Sequence, residues 1–237
     1  MTIALADNPA GAHLGGTLTV TAANGVATFS DLTLDQPGTG YTLQISSDGL
    51  ATATTVPFDV QTTIDTVGVG WGTSGSATLQ TASDGLRLLP AGRATDLPWL
   101  GIQQVPITLA QATTLAAGDV TVQSAIGVNY GPVTISGSGT SYILTLAQPI
   151  TTADRLTITI GNATIATFTR RLDVLPGDFN DDGVVNSQDL VGIRNEWMGI
   201  NGAVPTLIGD INGDGVVDIK DINAVRARIG TTLPPVS

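Results

Sequence analysis

A twelve-residue pattern that occurs twice near the C-terminus limits what this chain can fold into more than any other feature. Asp178-Phe179-Asn180-Asp181-Asp182-Gly183-Val184-Val185-Asn186-Ser187-Gln188-Asp189 returns as Asp210-Ile211-Asn212-Gly213-Asp214-Gly215-Val216-Val217-Asp218-Ile219-Lys220-Asp221. Counted from its first aspartate, each run offers a side-chain oxygen at positions 1, 3, 5, 9 and 12, with glycine at position 6. The oxygens belong to Asp178, Asn180, Asp182, Asn186 and Asp189, then to Asp210, Asn212, Asp214, Asp218 and Asp221. Position 7 adds a backbone carbonyl, from Val184 and Val216, so its side chain is free to vary. Calcium is a hard cation that takes roughly six to eight oxygen ligands. A loop this short wraps one ion only by turning sharply, and glycine at position 6 allows the turn without a Cβ clash. The duplication predicts two calcium ions, one per loop. They are expected to be structural, since a unit of this size has little core without its ions.

The spacing is that of an EF-hand loop, except that Asp189 and Asp221 stand at position 12, where sensor EF-hands carry glutamate. One helix follows each loop and none precedes it. Leu190, Ile193 and Trp197, and likewise Ile222, Val225 and Ile229, are spaced to give each helix one apolar stripe, and two stripes can pack face to face. Val185 and Val217 occupy the places where a short β-bridge joins paired loops. Taken together, residues 177–231 resemble type I dockerins. The resemblance implies a cohesin-like partner bound through the helix faces. The implied contact positions are Ser187, Gln188, Arg194, Asn195 and Gly199 in the first repeat and Ile219, Lys220, Arg226, Ala227 and Thr231 in the second. Ser187-Gln188 fits the usual polar pair and Ile219-Lys220 does not, which tells against symmetric binding in two orientations.

The remaining chain is expected to be mainly β. Thr, Gly, Ala, Leu and Val dominate, Lys220 is the one lysine, and Glu196 is the one glutamate. Thr and Val suit a pleated, half-buried surface, and glycines supply turns. Over residues 1–60 the sequence predicts short strands at Leu18–Ala22 and Val26–Phe29 around an Asn24-Gly25 hairpin turn, then at Tyr41–Ile45 and from Ala51 to Val60. Gly25 to Val60 is similar to bacterial immunoglobulin-like repeats, but with too few strands before it, so this first sandwich is expected to be incomplete. Residues 61–173 predict a second sandwich. Its strands are expected near Val67–Trp71, Ala77–Gln80, Gly101–Leu109, Val120–Gln123, Val133–Ser136, Tyr142–Leu146, Leu156–Ile160 and Ile165–Thr169. This stretch resembles another bacterial immunoglobulin-like family. Residues 174–237 make the small α-helical calcium module. Its link, Val174-Leu175-Pro176, has no Gly or Ser to flex, so the module is expected to pack on the second sandwich and bury Leu175 and Phe179.

Charge and composition exclude several functions. A net charge of -11 with no basic cluster argues against nucleic acid and against anionic membranes. There is no apolar run long enough for a membrane helix. With no cysteine and the single His13, neither a zinc site nor a nucleophile–histidine triad can be assembled. Asp31, Asp48, Asp84 and Asp154 read as turn formers rather than a paired-carboxylate active site, so no catalysis is expected. Trp71, Trp99 and Tyr130 read as core or interface aromatics in preference to a sugar-stacking platform, and Arg170-Arg171 either pairs with the acidic module or is solvated. No leader is visible after Met1, so the chain reads as the excised end of a longer protein. The expectation is a non-catalytic C-terminal region of a secreted or cell-surface bacterial protein, with β spacers and a docking module. Two alternatives are an extracellular fibre subunit that pairs with neighbouring copies by strand addition, and an ancillary region of a polysaccharide-degrading enzyme.

Overall fold

The structure is a computed structural model that describes residues 1–236. Strands dominate it. In the first sixty residues β1 (Thr2–Asp7), β2 (Leu14–Gly15), β3 (Thr33–Leu34), β4 (Gly38–Ser46), β5 (Ala53–Thr54) and β6 (Phe58–Val60) form two small sheets. Strand β4 is central, with β1 antiparallel to it and both β5 and β6 also paired to it, while β2 and β3 pair with each other. The Asn24-Gly25 turn forms, with positive φ at both residues and two hydrogen bonds between Ala23 and Val26 (2.9 and 3.0 Å). The expected strands on either side of it do not. Leu18 and Val20 spend their backbone groups on Ile3 and Met1 instead, along the edge of β1. Pro57, which lacks a backbone donor, splits the expected Ala51–Val60 strand into β5 and β6. Ile3, Ala12, Pro37 and Tyr41 are the only buried apolar side chains among these described residues, so this segment has little core of its own.

The next nine strands build a two-sheet unit: β7 (Ile64–Trp71), β8 (Gly75–Thr81), β9 (Leu88–Leu89), β10 (Ile102–Leu109), β11 (Val120–Ser124), β12 (Thr134–Ser138), β13 (Ser141–Ile150), β14 (Asp154–Ile160) and β15 (Phe168–Val174). One sheet runs β12-β13-β10-β7-β8-β9 and the other β11-β14-β15. Strict alternation makes the unit possible: Leu156, Ile158 and Ile160 of β14 point inward with Leu172 and Val174 of β15. They meet Val67, Val69, Trp71, Val105 and Ile107 from the larger sheet in one core. Two expectations need correction here. The last strand lies at Phe168–Val174, not at Ile165–Thr169; Ile165 is buried, but in a loop held by the Asn162 side chain, whose Oδ1 accepts from Thr164 N and Ile165 N. Asp154 is not in a turn. It starts β14 fully buried and accepts from Ser124 Oγ (2.6 Å) and Ala125 N (3.1 Å).

Strand β15 continues without a gap into the C-terminal module. Leu97 and Val174 form a parallel bridge, Leu175 N donates to Leu97 O (2.9 Å), and Gly177 N donates to Pro98 O (2.8 Å). The link is therefore laid along the two-sheet unit. Two helices follow, α1 (Ser187–Met198) and α2 (Ile219–Arg226). Each begins in a capping box made by loop positions 9 and 12: Asn186 with Asp189, and Asp218 with Asp221. Gly199 in the left-handed region ends α1. Ile193, Ile222 and Val225 are buried with Leu175, Val185, Ile211 and Val217, and Leu100 and Ala153 of the two-sheet unit pack against them.

The helix stripes end differently from the expected ones. Trp197 is 44% exposed and Ile229 50% exposed. Glu196 takes the inner place on α1, accepting from Thr206 N (3.1 Å) and Thr206 Oγ1 (2.8 Å), and α2 stops before Ile229. The loop-to-loop bridge is also absent among the described residues. Val185 pairs with the C-terminal tail, through Val185 N to Thr231 O (3.0 Å) and Gly230 N to Val185 O (2.8 Å), and meets Val217 only in the core.

Candidate metal centre

In both loops the backbone winds around the aspartate at position 1. Asp178 Oδ1 accepts from the amides of Asp181 (2.8 Å) and Asp182 (3.2 Å), and its Oδ2 from Gly183 (2.8 Å). Asp210 repeats this with Gly213 (2.9 Å), Asp214 (3.1 Å) and Gly215 (3.0 Å). Gly183 and Gly215 sit at φ 85° and 90°, where a side chain would be strained. At position 12, Asp189 accepts from Phe179 N, Asn180 N and Asn186 N, and Asp221 from Asn212 N and Asp218 N. Each loop is thus closed end to end by its own carboxylates.

The middle positions of the first loop converge. Asp182 Oδ2 lies 3.0 Å from the Asn180 carboxamide and 3.1 Å from that of Asn186, which also reaches Val184 O (3.1 Å). A carboxamide can present either its oxygen or its nitrogen to such a point after a half-turn. In the second loop Asn212 Oδ1 accepts from Asp214 N, and Lys220 Nζ contacts Asp214 (2.6 Å) and Asp218 (3.8 Å).

Charge decides what these loops can hold. Asp178, Asp189 and Asp221 are fully buried and Asp210 nearly so, yet among the described residues none of the four forms an ion pair. Burial pushes the Asp189 and Asp221 carboxyls up, and the negative charges of Asp178 and Asp210 beside them push the same way, against the backbone hydrogen bonds they accept. Buried anions of this kind need a compensating positive charge. An oxygen-only donor set wrapped on a glycine turn fits calcium on that count.

The loops are also seated on the two-sheet unit, through Arg93 and Leu100, which carry no signal in the sequence, and through Trp71, which reads as a core or interface aromatic. Arg93 Nη2 donates to Asp178 O (2.8 Å) and Nη1 to Phe179 O (3.3 Å), while Trp71 Nε1 donates to Asp210 O (2.9 Å) and Leu100 N to Ile211 O (2.8 Å). Position 4 of each loop docks as well. Asp181 accepts from Ala94 N (2.5 Å), Thr95 N (3.1 Å) and Thr95 Oγ1 (2.6 Å), and Gly213 O accepts from Thr73 N (2.9 Å) and Ser74 N (2.8 Å). Burial pushes Asp181 up, but these bonds and the Arg93 charge outweigh it and hold the carboxyl below its ordinary range. Asp96, buried beside Asp178 and Asp181, is pushed up to about 8, first by burial and then by the charge of Asp178. The one hint in the sequence is that the repeats diverge at position 4, Asp181 against Gly213, where both touch the neighbouring unit.

The aromatics settle in the same seam. Trp71 and Trp99 stack at 3.9 Å, buried, and Trp99 Nε1 donates to Leu207 O (2.9 Å). Tyr130 is buried too, so none of the three offers a platform to a sugar. His13 is exposed beside Asp35. Arg171 pairs with Asp173, and Arg170 lies over the Phe168 ring, so neither reaches the acidic module. Phe179 is half-buried against Gly192, where a Cβ would lie 2.3 Å from its ring.

The residues of the implied partner face lie away from this seam. Ser187, Gln188, Arg194, Ile219, Lys220 and Arg226 are exposed and Asn195 is half-exposed. Val191 (48% exposed) and Met198 (61%) add apolar surface on α1, the helix that carries Ser187, Gln188, Arg194 and Asn195. No helix of the described residues is long and apolar enough to cross a membrane.

Residues 176–230 match the family model of the dockerin type I domain. No curated protein matches the chain, and no solved structure does. Domains of that family are non-catalytic docking modules that bind calcium in EF-hand-like loops and bind cohesin domains.

Proposed function

We propose that residues 174–237 are a docking module stabilised by two calcium ions, which binds a cohesin-type domain through the outer faces of α1 and α2. The observation that carries the reading is the set of four buried, unpaired aspartates in two matched loops, within the segment that fits the dockerin type I family. Asp178, Asn180, Asp182, Asn186, Asp189 and the Val184 carbonyl would hold one ion. Asp210, Asn212, Asp214, Asp218, Asp221 and the Val216 carbonyl would hold the other. Calcium supplies positive charge where the loops concentrate negative charge, and so lets α1 and α2 start from fixed caps.

In this reading the partner meets Ser187, Gln188, Arg194 and Asn195 on one helix and Ile219, Lys220 and Arg226 on the other. The exposed Val191 and Met198 supply apolar contact within the first set. The two-sheet unit at 61–173 is an immunoglobulin-like spacer, the segment 1–60 is a partial one, and the whole works outside the cell. The test is calorimetric titration of the full chain with a panel of type I cohesin domains, in calcium and in excess chelator. Calcium-dependent binding that weakens at least about tenfold in Arg194→Ala or Arg226→Ala supports the reading. Absence of binding to every member in calcium overturns the partner assignment.

A further inference from the structure

The two calcium loops are attached to the two-sheet unit at the same three places. At position 1 the backbone carbonyl is taken, by Arg93 in the first loop and by the Trp71 indole in the second. At position 2 the carbonyl is taken again, by Arg93 and by Leu100 N. At position 4 the docking group is the Asp181 carboxylate in the first loop and the Gly213 carbonyl in the second. The donors differ, yet the held positions coincide. Those positions flank the ligand side chains at 1, 3 and 5, so fixing them fixes the part of the loop that must turn around an ion. At the second loop two glycines mark a close approach of backbone to backbone. A Cβ on Gly72, in the turn between β7 and β8, would lie 2.2 Å from Asn212 O, and one on Gly213 would lie 2.4 Å from Trp71 O.

We propose that the two-sheet unit is part of the calcium sites: it holds positions 1, 2 and 4 of both loops in the ion-binding conformation, and calcium affinity is coupled to this docking. The inference rests on the calcium reading above and extends it to residues outside the repeat. Coupling is reciprocal, so calcium in turn tightens the docked contacts. Gly72 is a positioning residue in this scheme, since it touches no ion and acts through the backbone of Asn212 and Gly213.

The experiment is calcium titration of the full chain by calorimetry, for wild type, Gly72→Ala and Gly85→Ala. Gly85 is the control: it lies in another turn of the same unit at φ +68°, close to the +56° of Gly72, but a Cβ there meets nothing within 4 Å. Both substitutions place a side chain at a positive φ, and only Gly72→Ala pushes the second loop off its seat. The expected result is about tenfold weaker calcium binding at one of two sites in Gly72→Ala and wild-type binding in Gly85→Ala. Wild-type affinity in Gly72→Ala, with wild type itself binding calcium, overturns the coupling and leaves the calcium reading standing. A wild-type chain that binds no calcium overturns both. A second measurement uses the wild type alone and covers the case in which Gly72→Ala does not fold. Hydrogen exchange at the amides of Thr73, Ser74 and Leu100, all donors to the second loop, is expected to slow at least about fivefold when calcium is added. Exchange there that ignores calcium overturns the proposal.

Discussion

Asp189 does two jobs with one side chain. Its oxygens close the first loop by accepting three backbone amides, and one of those bonds completes the capping box of α1. Asp189→Ala is expected to abolish calcium binding in the first loop. It should also destabilise the module by about 1–3 kcal/mol, because buried amides lose their acceptor. Calorimetry and thermal melting followed at a helix-sensitive wavelength check both effects. Lys220 acts in the opposite sense, since its ammonium sits on Asp214 and near Asp218. Lys220→Ala is expected to strengthen calcium binding in the second loop about twofold, with the gain fading at high salt. The second loop offers four ligand carboxylates (Asp210, Asp214, Asp218, Asp221) against three in the first (Asp178, Asp182, Asp189), which favours it for calcium, and the lysine offsets part of that advantage. Residue types at fixed spacing made the loops legible before any fold was known. The bonds made by Arg93, Trp71 and Leu100 were not legible, although Trp71 reads as a core or interface aromatic, because each donates to a backbone carbonyl far along the chain, and a carbonyl leaves no mark on the sequence.

At the scale of elements, α1 spans 12 residues and α2 only 8, lengths that are marginal for a helix by itself. Their stability comes from the caps and from Ile193, Ile222 and Val225 packed in the module core. Chelation of a calcium-loaded sample is expected to remove the helical circular-dichroism signal and leave the strand signal, since the core of the two-sheet unit contains no residue of either calcium loop. Helicity that survives excess chelator would contradict this. The strands were readable where alternation was strict, as along β10 and β14. The reading failed where burial and extension part company. Ile165 is buried but in a loop, and the Asn24-Gly25 turn closes on one residue pair only because the flanking backbone is committed to β1. Helical periodicity misplaced Trp197 for a related reason: the segment at Thr206–Gly209 folds over α1 and brings donors to Glu196, which period alone cannot anticipate.

For the whole molecule the decisive region is the seam between the two-sheet unit and the C-terminal module. It contains a stacked tryptophan pair with both indole donors used, the Arg93 guanidinium between Asp96 and Asp181, and loop backbone hydrogen-bonded at positions 1 and 2 of both loops and position 4 of the second. Residues 64–174 and 178–231 are therefore expected to tumble as one body, and backbone relaxation with calcium present checks this. Distinct correlation times for the two parts would contradict a fixed seam. The short link matters most when the chain is under load. Val174 runs parallel to Leu97, with Leu175 and Gly177 bonded to the same neighbouring segment. A pull on a partner gripping α1 and α2 would load those bonds in shear, several at a time, and spread into the larger sheet through the loops. The joint would behave as a rivet and not as a swivel. Whatever the module grips would then be held at a fixed bearing, and tension would be felt at the gripped face before it could peel the joint apart.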